Sequence, residues 1–123
     1  LWATIDKATN RFIGRCGLLP WTLDGQEEVE VAYLLEKAYW GRGLATEAAR
    51  AIAQYGFETL HLPRLIALVE PENAGSAHVA RKIGMVFERD ITDDFGLAQI
   101  YAMRNPDPES ALPWPPTDSA VEP

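Results

Sequence analysis

The chain has 123 residues, of which 47% are hydrophobic, with a formal net charge of −7 and a single cysteine. This length indicates one domain of modest size. One cysteine excludes an internal disulfide and is typical of a reducing, cytoplasmic compartment. The sequence contains no run of about 20 apolar residues that could span a membrane, so we expect no membrane partner.

The charge is unevenly distributed along the chain. Residues 106–123 hold four acidic residues and no basic one, whereas the other 105 residues carry 14 acidic and 11 basic residues. An acidic body argues against nucleic-acid binding and agrees with an amine-bearing substrate. His61 and His78 have no cysteine or histidine at ligand spacing, so the sequence predicts no metal site.

The first part of the chain is typical of β-structure, because apolar residues alternate along it. The sequence predicts three strands, the first two of which form a hairpin, at residues 1–5, 12–19 and 27–35. Residues 20–26 contain Pro20, Asp24 and Gly25 and are predicted to be a loop. Glu28 and Glu30 share one face of the third strand, which is either a solvated edge or a functional surface.

The second part alternates helices and strands. Apolar residues at i, i+3 and i+4 spacing predict a helix over 43–60, and Asn73 is a good N-cap for a second helix over 74–83. Strands are predicted at 65–69, 85–90 and 97–104. The order β-β-β-α-β-α-β-β indicates a mixed α/β (α+β) domain over 1–104. Residues 105–123 include six prolines and are predicted to be a disordered acidic tail.

Gly41 and Gly43 lie between the third strand and the first helix. Glycines permit close backbone approach, and a helix start offers unpaired N–H groups and the positive end of the helix dipole. A phosphate is the ligand that this layout favours. The nucleotide P-loop pattern is absent, and Thr46 stands where a dinucleotide fingerprint has its third glycine. A tight turn that binds nothing is the other interpretation.

Two sequence motifs together are more specific than the glycine turn alone. They are Trp40-Gly41-Arg42-Gly43-Leu44-Ala45 and, some thirty residues on, Pro71-x-Asn73-x-x-Ser76 followed by Lys82-x-Gly84-Met85. Over about residues 2–104 the chain resembles the GNAT family of acetyl-CoA-dependent N-acetyltransferases, in particular the branch of ribosomal-protein N-terminal acetyltransferases. The resemblance implies a mainly antiparallel central sheet flanked by two helices.

The resemblance also implies a binding site for acetyl-CoA as co-substrate. Backbone N–H groups of the glycine turn would hold the pyrophosphate, the end of the third strand would pair with the pantetheine arm, and Asn73 would touch that arm. Arg42 is either a phosphate ligand or a surface residue. The cofactor-binding residues implied are Leu34, Leu35, Gly41, Arg42, Gly43, Leu44, Ala45, Thr46 and Asn73.

For catalysis, Glu30 matches the strand glutamate that several family members use as the base, with substrate orientation as its alternative role. Many members have a tyrosine acid at the position of Ala80, and Ser76 is the substitute that the resemblance implies. Ser76 could also be an ordinary first-turn residue. Tyr33 and Tyr101 are interpreted as core residues, and Cys16 as buried packing.

The resemblance predicts acetyl transfer by direct attack of an amine, with a peptide or protein N-terminus as the leading acceptor. A small-molecule amine such as an amino sugar, antibiotic or polyamine stays open. Family members normally begin with a strand and one or two helices that are not found before residue 1, and the apolar surface they would cover predicts a homodimer. The alternatives are a non-catalytic coenzyme A-binding module that needs a partner chain, and a structural domain.

Overall fold

The computed structural model describes residues 2–6, 11–35, 43–93, 96–107 and 109. They form six strands and two helices in the predicted order. The strands are β1 (Trp2–Asp6), β2 (Arg11–Leu23), β3 (Gln26–Leu35), β4 (Arg64–Val69), β5 (Val86–Asp93) and β6 (Gly96–Arg104); the helices are α1 (Leu44–Glu58) and α2 (Ala74–Lys82).

All six strands lie in one sheet with the order β1-β2-β3-β4-β6-β5. Every neighbouring pair is antiparallel except β3 and β4, which are parallel and are connected through α1. A parallel pair needs such a crossover, because its strands cannot be joined by a tight turn. The mixed, mainly antiparallel sheet with two flanking helices confirms the predicted fold class.

The core has two parts that contain alternate residues of the central strands. The larger cluster joins both helices to the sheet and includes Val29, Val31 and Leu65 from the strands. The smaller cluster consists of strand residues, with Ile66 and Ile100 both 0% exposed at its centre. Because side chains alternate along a strand, β3 directs Val31 to the helix side and Glu30 to the side of the smaller cluster.

The predicted loop over residues 20–26 is wrong. β2 continues to Leu23, and the strands β2 and β3 are joined by a two-residue turn, Asp24-Gly25, whose φ angles are 49° and 77°. Two positive φ angles are what a type I′ hairpin turn requires, and Asp-Gly is a favoured pair for it. Pro20 is tolerated because the described residues of β1 pair with β2 only up to Cys16, so Pro20 lies on a sheet edge.

Two other boundaries differ from the prediction. β5 runs to Asp93, three residues beyond the predicted end of that strand at residue 90. Asn105, at the start of the predicted tail, is 7% exposed and donates to the carbonyl oxygen of Leu62 at 2.9 Å. Residues 108 and 110–123 of that tail lie outside the described residues. Of the two helices described, neither is long and apolar enough to cross a membrane.

Candidate active site

The N-terminus of α1 lacks a side-chain cap. Its N-cap residue is Gly43, which is exposed, has φ 74° and makes no capping side-chain hydrogen bond. The N–H groups of Leu44, Ala45 and Thr46 begin the helix, so they have no hydrogen-bond partner within it. A Cβ placed on Gly43 would meet no described atom within 4 Å. The predicted ligands Gly41 and Arg42 lie outside the described residues.

Strands β3 and β4 share one paired position, Glu30 with Ile66. Beyond it, Leu34 and Leu35 keep their pairing with β2, and Val69 keeps its pairing with β6. The two strands therefore part after Glu30 while each stays in the sheet through its other neighbour. An opening of this kind presents backbone groups that an extended chain can pair with.

Glu30 lies where the strands part. Its carboxylate accepts a hydrogen bond from the indole Nε1 of Trp21 at 2.8 Å and another from the backbone N–H of Leu68. Burial raises the pKa of Glu30 above its ordinary value of 4.5, and the two hydrogen bonds oppose that rise because they favour the ionised form. A half-buried carboxylate with a raised pKa accepts a proton more readily than an exposed one, which suits a general base.

Ser76 lies in the first turn of α2. Its backbone N–H donates to Oδ1 of Asn73 at 2.9 Å, which confirms Asn73 as the N-cap. The phenol of Tyr33 donates to the backbone oxygen of Ser76 at 2.9 Å, and the Tyr33 Oη lies 3.3 Å from Ser76 Oγ. Tyr33 thus packs against the core, as predicted, and also connects β3 to the start of α2.

The structure places Glu30 and Ser76 on opposite sides of the sheet. Glu30 points to the smaller cluster, whereas Ser76 lies on the helix that packs against the larger one. Tyr33, three residues after Glu30, lies on the same side as Ser76 and is hydrogen-bonded to it. Burial raises the pKa of Tyr33, the hydrogen bond with Ser76 opposes this, and the negative charge of Glu30 raises it further.

The second acid of the strand, Glu28, has a different role from Glu30. It is 5% exposed, so the solvated-edge interpretation is wrong for it. Arg64 donates to both of its carboxylate oxygens, at 3.0 Å and 2.9 Å. Arg64 also binds the exposed Glu88 at 2.7 Å, and these bonds raise the pKa of Arg64 and lower that of Glu88. Because Arg64 begins β4, this cluster fastens β3 to β4 before the point where they part.

Sequence reasoning missed Trp21 and the contacts of Tyr33. The Asp-Gly turn could have revealed Trp21, because a two-residue turn fixes the register of the hairpin. With that register Trp21 pairs with Glu28, which places it diagonally opposite Glu30. The bond from Tyr33 to Ser76 joins residues 43 positions apart, and no local pattern indicates it.

A groove of about 570 Å³ lies away from these residues. It is formed by the second half of α1 and the end of β6, with Phe57, Ile83 and Met103 on its wall and none of Gly43, Glu30 or Ser76. Because none of the candidate site residues lines this groove, it is not part of the candidate site. Within the described ranges, no group of three or more His, Cys, Asp or Glu residues could hold a metal ion.

The chain is similar to known proteins in sequence and in structure. The profile of the Acetyltransferase (GNAT) domain family matches residues 1–86. The protein YkkB of Bacillus subtilis is 41% identical over 91 residues, which cover 74% of this chain and 53% of YkkB. Spermidine N(1)-acetyltransferase of Escherichia coli K12 is 32% identical over 104 residues, covering 73% of this chain and 52% of that protein.

A solved structure has the same fold. The ribosomal-protein-S5-alanine acetyltransferase of Vibrio fischeri superimposes with a TM-score of 0.73 at 24% identity, covering 85% of this chain and 61% of that one. The family match extends over more than half of the sequence, and the chain belongs to the GNAT acetyltransferase family. It spans about half the length of the curated relatives described above.

Proposed function

We propose that the protein transfers an acetyl group from acetyl-CoA to a primary amine by direct attack. The observation that carries the proposal is the position of Glu30, a partly buried carboxylate with a raised pKa at the point where β3 and β4 part. The N-terminus of α1, which has no side-chain cap, and the hydrogen bond of Tyr33 on β3 to the first turn of α2 support it.

The residues present fit acetyl-CoA. The uncapped N–H groups of Leu44, Ala45 and Thr46 are suited to the pyrophosphate, together with Gly41, Arg42 and Gly43. The parted strand end at Leu34 and Leu35 is suited to the amide-bearing pantetheine arm, and Asn73 is exposed close to it. When bound, this group supplies an activated acetyl thioester.

Two proton transfers would then involve residues of this chain. Glu30 accepts the proton of the attacking amine, and Ser76 is the nearest hydroxyl of α2 for the leaving sulfur. A backbone N–H near Leu35 would stabilise the oxyanion. A carboxylate is a weak base, so the acceptor must lose its proton easily.

This requirement favours an α-amine as acceptor. An α-amine has a pKa of about 7.7–8.0 and a lysine amine about 10.4, so roughly a tenth of the former is neutral at pH 7 and far less of the latter. We therefore propose a peptide or protein N-terminus, as in the ribosomal-protein branch. A polyamine is the second candidate, because a relative at 32% identity is named a spermidine N(1)-acetyltransferase.

Binding is tested by thermal shift with acetyl-CoA. A ligand present at 100 times its Kd should stabilise the protein by about 2.7 kcal/mol. Gly43→Val should abolish the shift. Gly25→Val is the matched control, because Gly25 has φ 77° against 74° for Gly43 and a Cβ meets nothing within 4 Å at either position. Loss of the shift in both variants, or in neither, would refute the assignment of the pyrophosphate site.

Activity is tested by thiol release with three acceptors at equal concentration. They are a peptide with a free N-terminus, the same peptide with an acetylated N-terminus and one lysine, and spermidine. The proposal expects the first to react fastest. Faster reaction of spermidine would establish the second candidate. Binding of acetyl-CoA with no thiol release from any acceptor would identify a coenzyme-binding module.

A further inference from the structure

Tyr33 lies next to Ser76 and has no role in the acetyl-transfer steps proposed above. Its hydroxyl donates to the backbone oxygen of Ser76 at 2.9 Å and lies 3.3 Å from Ser76 Oγ. The side chain of Tyr33 packs against the larger core cluster. Ala80, one turn further along α2, has 0% exposure and no ionisable group. The phenol is therefore the acidic group joined to the first turn of α2.

Ser76 alone is a poor proton source for a leaving thiolate. A thiol has a pKa of about 8.5 and a phenol about 10, whereas an aliphatic hydroxyl is a much weaker acid than either. Ser76 can give up its proton only if it receives another at the same time. At rest the Tyr33 hydroxyl donates to the backbone oxygen of Ser76, and rotation of its O–H bond toward Ser76 Oγ, 3.3 Å from Oη, supplies that second proton.

We propose that Tyr33 is a positioning and proton-relay residue for acetyl transfer, acting on the leaving sulfur through Ser76. The inference rests on the proposed function. As the thioester C–S bond breaks, the sulfur takes the proton of Ser76 Oγ and Ser76 takes the proton of Tyr33 Oη. The amine has meanwhile given its proton to Glu30. After the products leave, the carboxyl of Glu30 returns that proton through solvent to the phenolate, so every group is restored.

The charge of Glu30 links the two halves of this cycle. While Glu30 is ionised, its negative charge raises the pKa of Tyr33. Once Glu30 has accepted the proton of the amine, that contribution disappears and Tyr33 becomes a stronger acid. The pair carries one negative charge before and after the transfer, which avoids placing two charges in a half-buried site.

The test compares two acetyl donors in the full chain. With acetyl-CoA, Tyr33→Phe should lower kcat by about 100-fold with little change in KM for the amine. With the acetyl thioester of 4-nitrothiophenol, whose thiol is acidic enough to leave as an anion, the variant should be within about threefold of the wild type. A merely structural role of Tyr33 would lower the rate equally with both donors and would overturn the proposal.

Two further variants keep the result interpretable. Tyr101→Phe is the matched control: its hydroxyl is buried and accepts from Arg81 at 3.1 Å, so its removal should not depend on the donor. Ser76→Ala interrupts the relay at its other end and should show the same donor dependence as Tyr33→Phe, with the double variant no slower than either. Additive losses would contradict a shared relay.

A readout independent of turnover tests the coupling. Tyrosine carbons labelled with ¹³C are titrated by NMR, and the Tyr33 signal is assigned by its loss in Tyr33→Phe. Glu30→Gln should lower the pKa of Tyr33, and an unchanged pKa would overturn the coupling.

If wild-type protein transfers acetyl groups and Tyr33→Phe keeps the full rate, only the relay fails. If the wild type transfers none to any amine, the proposed function fails with it.

Discussion

Replacing Arg64 by methionine should destabilise the protein severely. The change leaves the carboxylate of Glu28 without its two hydrogen bonds, and that side chain is 6% exposed. Removing one partner of a buried ion pair costs about 3–5 kcal/mol. Arg64 is 22% exposed, so we expect the lower end, about 3 kcal/mol. Loss of the Glu88 contact adds at most about 1 kcal/mol, because that carboxylate is exposed.

The measurement is urea unfolding at pH 7 and 0.15 M salt, followed by tryptophan fluorescence. The midpoint should fall with little change in the slope m, and the Tm should fall by roughly 10 °C. The double variant Glu28→Met with Arg64→Met should recover to within about 1 kcal/mol of the wild type, because an apolar pair removes the buried charge along with its partner.

Arg89→Met is the matched control. Arg89 binds Asp24 at 2.7 Å, a similar contact to those of Arg64, but the two side chains are 36% and 63% exposed. Its loss should cost at most about 1 kcal/mol and should fade at high salt, where exposed pairs are screened. Equal losses for the two arginines, or a loss under about 1 kcal/mol for Arg64→Met, would refute the argument from burial.

Three further predictions concern the site. Trp21→Phe removes a hydrogen bond that favours ionised Glu30, so the pKa of Glu30 rises further and the acidic limb of the kcat/KM profile should move to higher pH; a limb that stays in place contradicts the role of Trp21. Glu30→Gln should stabilise the fold at pH 7, since the folded-state pKa is raised above the unfolded value of about 4.3 and the ionised form is disfavoured. That gain should be full above the folded-state pKa and lost as pH falls to about 4, which thermal melts across this range will check. Asn73→Ala removes the cap on Ser76 and should cost about 1 kcal/mol in urea unfolding, with an unchanged midpoint as the contrary result.

Local chemistry was sufficient to predict much of the fold. Asn73 caps α2 through a bond to a residue three positions on, and Gly43 supplies a positive φ immediately before α1. Both depend on near neighbours, which a sequence displays directly. The prediction for the end of the first helix was less accurate, because it extended to residue 60, whereas Leu60 is 42% exposed. The helix ends at Glu58, and the periodicity cannot extend past it.

The parts of the site that the sequence did not reveal depend on register and on long-range contacts. The loop predicted over residues 20–26 concealed the pairing of Trp21 with the acid-bearing face of β3, because residues 20–23 belong to β2. Glu28 and Glu30 look equivalent in the sequence, since they alternate on one face. They differ in the structure because Arg64, which is 36 residues beyond Glu28, forms an ion pair with Glu28. No cation is among the partners that shift the pKa of Glu30.

Glu30 has an architectural role in addition to the chemical role proposed for it. It is the paired position after which β3 and β4 part, and its carboxylate binds the backbone N–H of Leu68 beyond that point. A substitution that loses this bond would disturb the opening as well as the chemistry, and reduced activity would not identify a base. Glutamine separates the two roles, because its Oε1 can still accept from Trp21 and Leu68 but cannot take the proton of an amine. A Glu30→Gln variant that binds acetyl-CoA normally and transfers slowly would therefore identify the base, whereas one that transfers at the wild-type rate would leave Glu30 only its structural role.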